Sequence, residues 1–151
     1  MRLPGLLFVA LCLALLAAGV AQAGGEPASI EQIKDNIAKA RSDKSLVART
    51  EAAEHLATLT KRISSKEVTG KLVTDLIYLL DSPDDSVRYW VAIALGNLGP
   101  RAKAAVPKLQ EMLPRVDCIN GAVTSADGIR YALVKMGIKP ASSPKCERIA
   151  G

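Results

Sequence analysis

The chain has 151 residues, 49% of them hydrophobic but only 3% aromatic, and 20 basic against 15 acidic side chains give a net charge of +5. That is one domain's length, and a core so short of aromatics must be built from Ala, Leu, Val and Ile, which favours close-packed helices over sheets. The length excludes a large multidomain enzyme, and one His with three Cys leaves little for a metal site or a Cys–His nucleophile pair.

Residues 1–23 read as a cleaved secretory signal. Arg2 supplies the positive start, residues 6–20 form an uncharged apolar run, and Ala21-Gln22-Ala23 gives the small-x-small cleavage pattern. The run is shorter than the ~20 residues that span a bilayer, so no stable membrane insertion is expected after cleavage. Cys12 lies in mid-run behind Leu11, away from the cleavage point, which speaks against lipidation. The processed chain, 24–151, is expected in the periplasm or outside the cell. Loss of Arg2 lowers the net charge from +5 to +4, spread without the dense Lys/Arg cluster of a nucleic-acid surface, so no nucleic acid is expected as partner.

After a flexible entry over 24–28, helical spacing begins. Ile30, Ile33 and Ile37 mark a first helix, with Ser29 as its cap and Glu31 and Gln32 in its first turn. A second helix is predicted over 46–63. A third opens at Ser64 and runs to about Leu80 through Val68, Leu72, Val73, Leu76 and Leu79. Residues 81–85 form a break whose Asp residues have N-cap chemistry. A fourth helix covers 86–98 and is stopped by Gly99-Pro100. A fifth covers 102–113, a loop holding Cys118 covers 114–124, and a sixth covers 125–136 and ends at Gly137. The tail, 138–151, is expected to be irregular. No segment alternates as a strand does, so the fold class is all-α.

The segments repeat. Arg49, Ala53, Leu56 and Leu59 recur as Arg88, Ala92, Leu95 and Leu98, and Ala94, Leu95, Leu98 and Gly99 recur as Ala132, Leu133, Met136 and Gly137. A period near 40 with two helices per unit is the signature of a helical solenoid. The units are predicted at about 29–63, 64–99 and 100–137. The run from Asp84 to Pro100 with Ala104-Ala105-Val106-Pro107-Lys108-Leu109 resembles a HEAT repeat, of the bacterial subtype also found in phycobilisome lyases. The first unit lacks the terminal Gly-Pro, and the third has Ala126 in place of the repeated Arg and a longer internal loop. The resemblance implies a short right-handed α-α superhelix of about three helix pairs, with the second helices lining the concave face.

Given that face, helical spacing selects its residues. Val87, Val91, Ala94, Leu95 and Leu98 share the core stripe of the fourth helix. The outward stripe is then Tyr89, Ile93 and Asn97, with Trp90 at its edge. The repeat projects it onto Thr50, Glu54 and Thr58 in the first unit and Asp127, Tyr131 and Lys135 in the third. The expected surface has an apolar, aromatic centre with polar ends, the composition of a binding hot spot. Packing of Trp90 and Tyr89 against adjacent helices is the competing reading, with Tyr89 and Tyr131 better placed than Trp90 to reach solvent. His55 aligns with Ala94 and is expected to be a half-buried spacer. Arg49 and Arg88 are expected in structural pairs between repeats, and Glu51 and Glu54 on a solvated helix face.

Cys118 and Cys146, the pair left in an exported chain, are expected to form a disulfide closing a loop of about 29 residues. A redox pair is the alternative, though such pairs usually sit as Cys-x-x-Cys. The function expected is a non-catalytic scaffold binding a protein or peptide partner, without cofactor. An enzyme-associated subunit of phycobilisome-lyase-like type binding a small ligand is the alternative that the resemblance allows. Three repeats are near the minimum for a stable solenoid, which leaves a homodimer through an end repeat open.

Overall fold

The computed structural model describes residues 26–118 and 122–142. Among them are six α-helices and no strand: α1 (Ile30–Ser42), α2 (Leu46–Thr60), α3 (Gly70–Leu79), α4 (Asp85–Leu98), α5 (Val106–Val116) and α6 (Ser125–Lys135). The secretory signal expected over 1–23, Cys146 and the end of the tail lie outside the described residues; 138–142 have no regular secondary structure.

Caps explain most boundaries. The Ser29 hydroxyl accepts from the Gln32 amide at 3.2 Å while the Gln32 side chain accepts from the Ser29 amide at 3.1 Å, a reciprocal box that starts α1. Gly99 ends α4 at φ +58°, a backbone angle that a side chain would strain. The third helix starts later than Ser64. Ser64 caps only a 3₁₀ turn (Ser65–Glu67), Val68 is extended, and the Thr69 hydroxyl accepts from Leu72 to open α3. The fifth helix is also displaced: residues 99–105 form 3₁₀ turns, and α5 runs through Pro114 to Val116, where a loop was expected. Pro114 removes one hydrogen bond close to the helix end, and the helix continues with the Asp117 amide donating to the Leu113 carbonyl.

The second helices α2, α4 and α6 stack side by side as one layer, and α1, α3 and α5 flank them, each against its own partner. The interior is aliphatic. Ile33, Leu56, Leu76, Leu95, Leu109, Ile129 and Leu133 are fully buried between the layers. The stack is close where it is built from small residues. A Cβ on Gly128 would lie 2.7 Å from the Tyr89 carbonyl oxygen, and one on Gly96 would lie 2.7 Å from the Tyr131 ring. This is an all-α solenoid of three helix pairs.

A repeated arginine ties the units together. Arg49 Nη1 donates to the carbonyls of Asp43 and Lys44, in the turn between α1 and α2, while its Nε and Nη2 reach Asp84 of the next unit at 2.8 Å. Thirty-nine residues on, Arg88 donates to the carbonyls of Ser82 and Pro83, the matching turn, and pairs with Asp85 at 2.8 Å. Asp85 in turn accepts from the amide and hydroxyl of Ser125, in the third unit. Asp84 occupies the N-cap position of α4 but makes no capping bond there, contrary to the sequence expectation. Its carboxylate accepts from the previous unit's arginine instead.

In the third unit the stacking positions change character. Ala53 and Ala57, then Ala92 and Gly96, are buried toward the following unit; their counterparts are Arg130 and Val134. Val134 is exposed, and Arg130 forms two hydrogen bonds to the carboxylate of Asp117, at 2.5 and 2.7 Å. That bond holds the Arg130 guanidinium protonated more firmly than usual. A charged pair in place of small residues gives this end of the stack a polar cover.

Burial pushes the Asp85 carboxyl up, but the hydroxyl and amide of Ser125 together with Arg88 outweigh it and hold it below its ordinary value of 3.8. The stability Asp85 contributes is therefore present above that value and lost as pH falls through the lower value of the folded state. In urea titrations at a series of acidic pH values, wild type is expected to lose stability more steeply than Asp85→Asn. Parallel curves would contradict this.

Candidate functional site

The face of the second-helix layer that turns away from the first helices is lined in order by α2, α4 and α6. At its centre Tyr89, Ile93 and Tyr131 are half-buried, together with Trp90 and Asn97. At one end Glu54 and Thr58 are exposed and Thr50 is half-buried; at the other Asp127 and Lys135 are exposed. The side chains projected from the repeat thus fall on three successive helices of one layer.

Their roles differ. The ring of Tyr131 lies against Gly96, and its hydroxyl donates to Asn97 Oδ1 at 2.8 Å. Asn97 Nδ2 donates to the Ala57 carbonyl at 2.7 Å, so these two side chains link all three units. Lys135 sits over the same ring, its Nζ 5.6 Å from the centroid. Tyr89 packs edge-on against Trp90, with ring centroids 4.9 Å apart, and touches the α6 backbone near Gly128. Trp90 and Ile93 pack partly against the core. Asp127 is engaged in capping, accepting from the amide and hydroxyl of Thr124. Glu51 and Glu54 have no ion-pair partner among the described residues, and neither does Lys135.

Tyr131 and Tyr89 do not stand clear of Trp90 in exposure; all three are half-buried. His55 departs from its expected place. It is exposed, because among the described residues no unit covers that side of α2, whereas Ala94 at the matching position, with α2 beside its helix, is fully buried. Arg49 bridges two units as expected, whereas Arg88 bonds only within its own unit and is linked to the next through Asp85.

Residues 25–123, about two thirds of the chain, match the sequence profile of HEAT repeats. The chain belongs to the HEAT repeat family. HEAT repeats are typically protein-interaction scaffolds, and the layered helix pairs here have that architecture. The match stops short of α6, yet α6 packs on α4 as α4 packs on α2, with Tyr131 in the place of Ile93. No curated protein and no solved structure matches this HEAT repeat chain significantly. Among the described residues no helix is long and apolar enough to cross a membrane.

The Asn97–Tyr131 bridge gives this HEAT stack a measurable contribution. Tyr131→Phe keeps the ring over Gly96 and removes only the hydroxyl, leaving Asn97 Oδ1 without its donor. A loss of about 1 kcal/mol is expected in chemical denaturation. An unchanged midpoint would show that the bridge contributes nothing to stacking.

Proposed function

We propose that this HEAT repeat chain is an exported, non-catalytic scaffold that binds a segment of a protein partner on its concave face. The observation that carries the reading is the stripe itself: Tyr89, Ile93 and Tyr131 form a half-buried apolar centre at the middle of an otherwise polar face. Tyr131 is rigid, fixed by Asn97, and a rigid aromatic loses little conformational freedom on binding. Glu54 and Thr58 at one end and Lys135 at the other supply polar contacts that set the register of a bound segment. Trp90 packs against Tyr89 and Asn97 bonds Tyr131, while Asp127, exposed at the same end as Lys135, adds a further polar contact for the partner.

Export is part of the proposal. It rests on the Arg2 start, the apolar run and the Ala21-Gln22-Ala23 pattern, and it places the chain in the periplasm or outside the cell. Cys118 and Cys146 then pair as a disulfide that closes the C-terminal end, stabilising the fold by roughly 3–4 kcal/mol. The bacterial, phycobilisome-lyase-like subtype rests on the run from Asp84 to Leu109.

The test is a crosslinking pull-down from envelope extract with wild type and Tyr89→Ala/Ile93→Ala, once equal thermal stability is established. Tyr131 is left intact because its loss would disturb the stack. Capture of a partner by wild type, reduced about tenfold or more in the variant, is the expected result. Equal capture by both would move the site off this face.

A further inference from the structure

A second site lies on the edge of the solenoid, where each unit turns from its first helix into its second. A cleft of about 520 Å³ opens there between the first two units. Its floor is apolar, formed by the buried Ala40 and Leu79, and Pro83 closes one side. Its walls are the two turns whose carbonyls the repeated arginines hold, Asp43 and Lys44 by Arg49, and Ser82 and Pro83 by Arg88. Both walls are thus fixed from within before anything binds.

At the mouth stands Tyr78, 61% exposed. The Arg41 guanidinium lies over that ring, 4.2 Å from its centroid. The other charges in the lining are engaged. Arg49 pairs with Asp84, Asp81 pairs with Lys108, and Asp43 accepts from the Ser45 amide. Arg41 alone of the lining cations has no carboxylate among the described residues, and Lys39 and Lys44 stand on the adjoining surface, also without an ion pair there. Asp43 keeps its charge without a counter-ion among the described residues, so the net positive charge at the mouth comes from Lys39 and Lys44 beside Arg41, over an apolar floor.

We propose that this cleft binds a carboxylate-bearing peptide segment of a partner protein. The carboxylate pairs with the Arg41 fork, and a neighbouring apolar side chain stacks on Tyr78 and enters over Ala40 and Leu79. An arginine held over an aromatic ring keeps its fork of donors free for a two-point bond to a carboxylate. The site is separate from the concave stripe and does not depend on it.

The test titrates isotope-labelled protein with short peptides to millimolar concentration and follows backbone amide shifts. Three probes are used: acetyl-Ala-Asp-Leu-Ala-amide, its Asn analogue, and acetyl-Ala-Ala-Leu-Ala with a free C-terminal carboxylate. Saturable shifts over residues 40–43 and 78–83 with either carboxylate probe are expected, and which probe binds identifies a side chain or a chain end as the source. Arg41→Gln and Tyr78→Ala should each weaken binding about tenfold; both sites are at the surface, and unchanged melting confirms that the variants fold. Shifts of equal size with the Asn analogue, shifts confined to the concave stripe, or no shifts would each overturn the proposal.

Discussion

Replacing Gly128 with Leu is expected to cost more than about 3 kcal/mol and to leave much of the protein unfolded at physiological temperature. The reason is backbone contact. Gly128 faces the Tyr89 carbonyl so closely that even a Cβ would meet it at 2.7 Å, with the Tyr89 ring at 3.1 Å and Ala92 at 3.3 Å. A carbonyl inside a helix cannot swing aside, so α4 and α6 must separate. Gly128→Ala makes the sharper comparison. In an exposed helix that change stabilises by about 1 kcal/mol through helix propensity. Here a net loss of about 1–2 kcal/mol is expected. Gly96→Ala should cost less, because its nearest obstacle at 2.7 Å is a side-chain ring, Tyr131, and the nearest backbone atom, Ala132 Cα, lies at 3.0 Å. Urea unfolding of the three variants checks the order. A Gly128→Ala protein more stable than wild type would contradict the close approach of these helices.

The second large effect is expected at Arg49. Arg49→Ala removes the donors to two turn carbonyls and leaves Asp84, whose side chain is only 17% exposed, without its counter-ion. A loss of about 2–4 kcal/mol follows. Arg49→Lys should recover little, because an ammonium cannot reach both turn and carboxylate with the fixed fork of a guanidinium. Arg88→Ala should cost less than Arg49→Ala. Asp85 keeps the amide and hydroxyl of Ser125, and Arg88 Nε is already buried without a partner. A double-mutant cycle between positions 49 and 84 isolates the pair, and a coupling energy near zero would show that the turn carbonyls carry the whole effect.

The repeat was legible because its signals are local. Gly99-Pro100 stops a helix wherever it occurs, and Leu and Ala at fixed offsets mark the core of each unit. The bridging role of Arg49 was readable from its recurrence as Arg88. Its partner was not, since an Asp before a helix looks alike in sequence whether it caps that helix or receives an arginine from the preceding unit. Ser64 reads as the start of the third helix, but Thr69 carries the same capping hydroxyl, and it is Thr69 that opens α3. His55 is exposed for a reason no alignment within the chain contains: among the described residues the first unit has no neighbour on that side. Helical spacing laid out the stripe proposed for binding, but the fixing of Tyr131 by Gly96 and Asn97 depends on how closely two helices approach. The turn-edge cleft was invisible because its walls come from residues some 40 positions apart in sequence.

Site-specific photocrosslinking in the native host tests the central claim most directly. A photoreactive residue placed at position 93, on the face proposed for binding, is compared with one at position 71, on the exposed surface of α3. A discrete protein adduct from position 93, absent from position 71, is the result this account predicts. Adducts from position 71 with none from position 93 would contradict it, and would place the partner of this HEAT repeat chain on its first-helix layer.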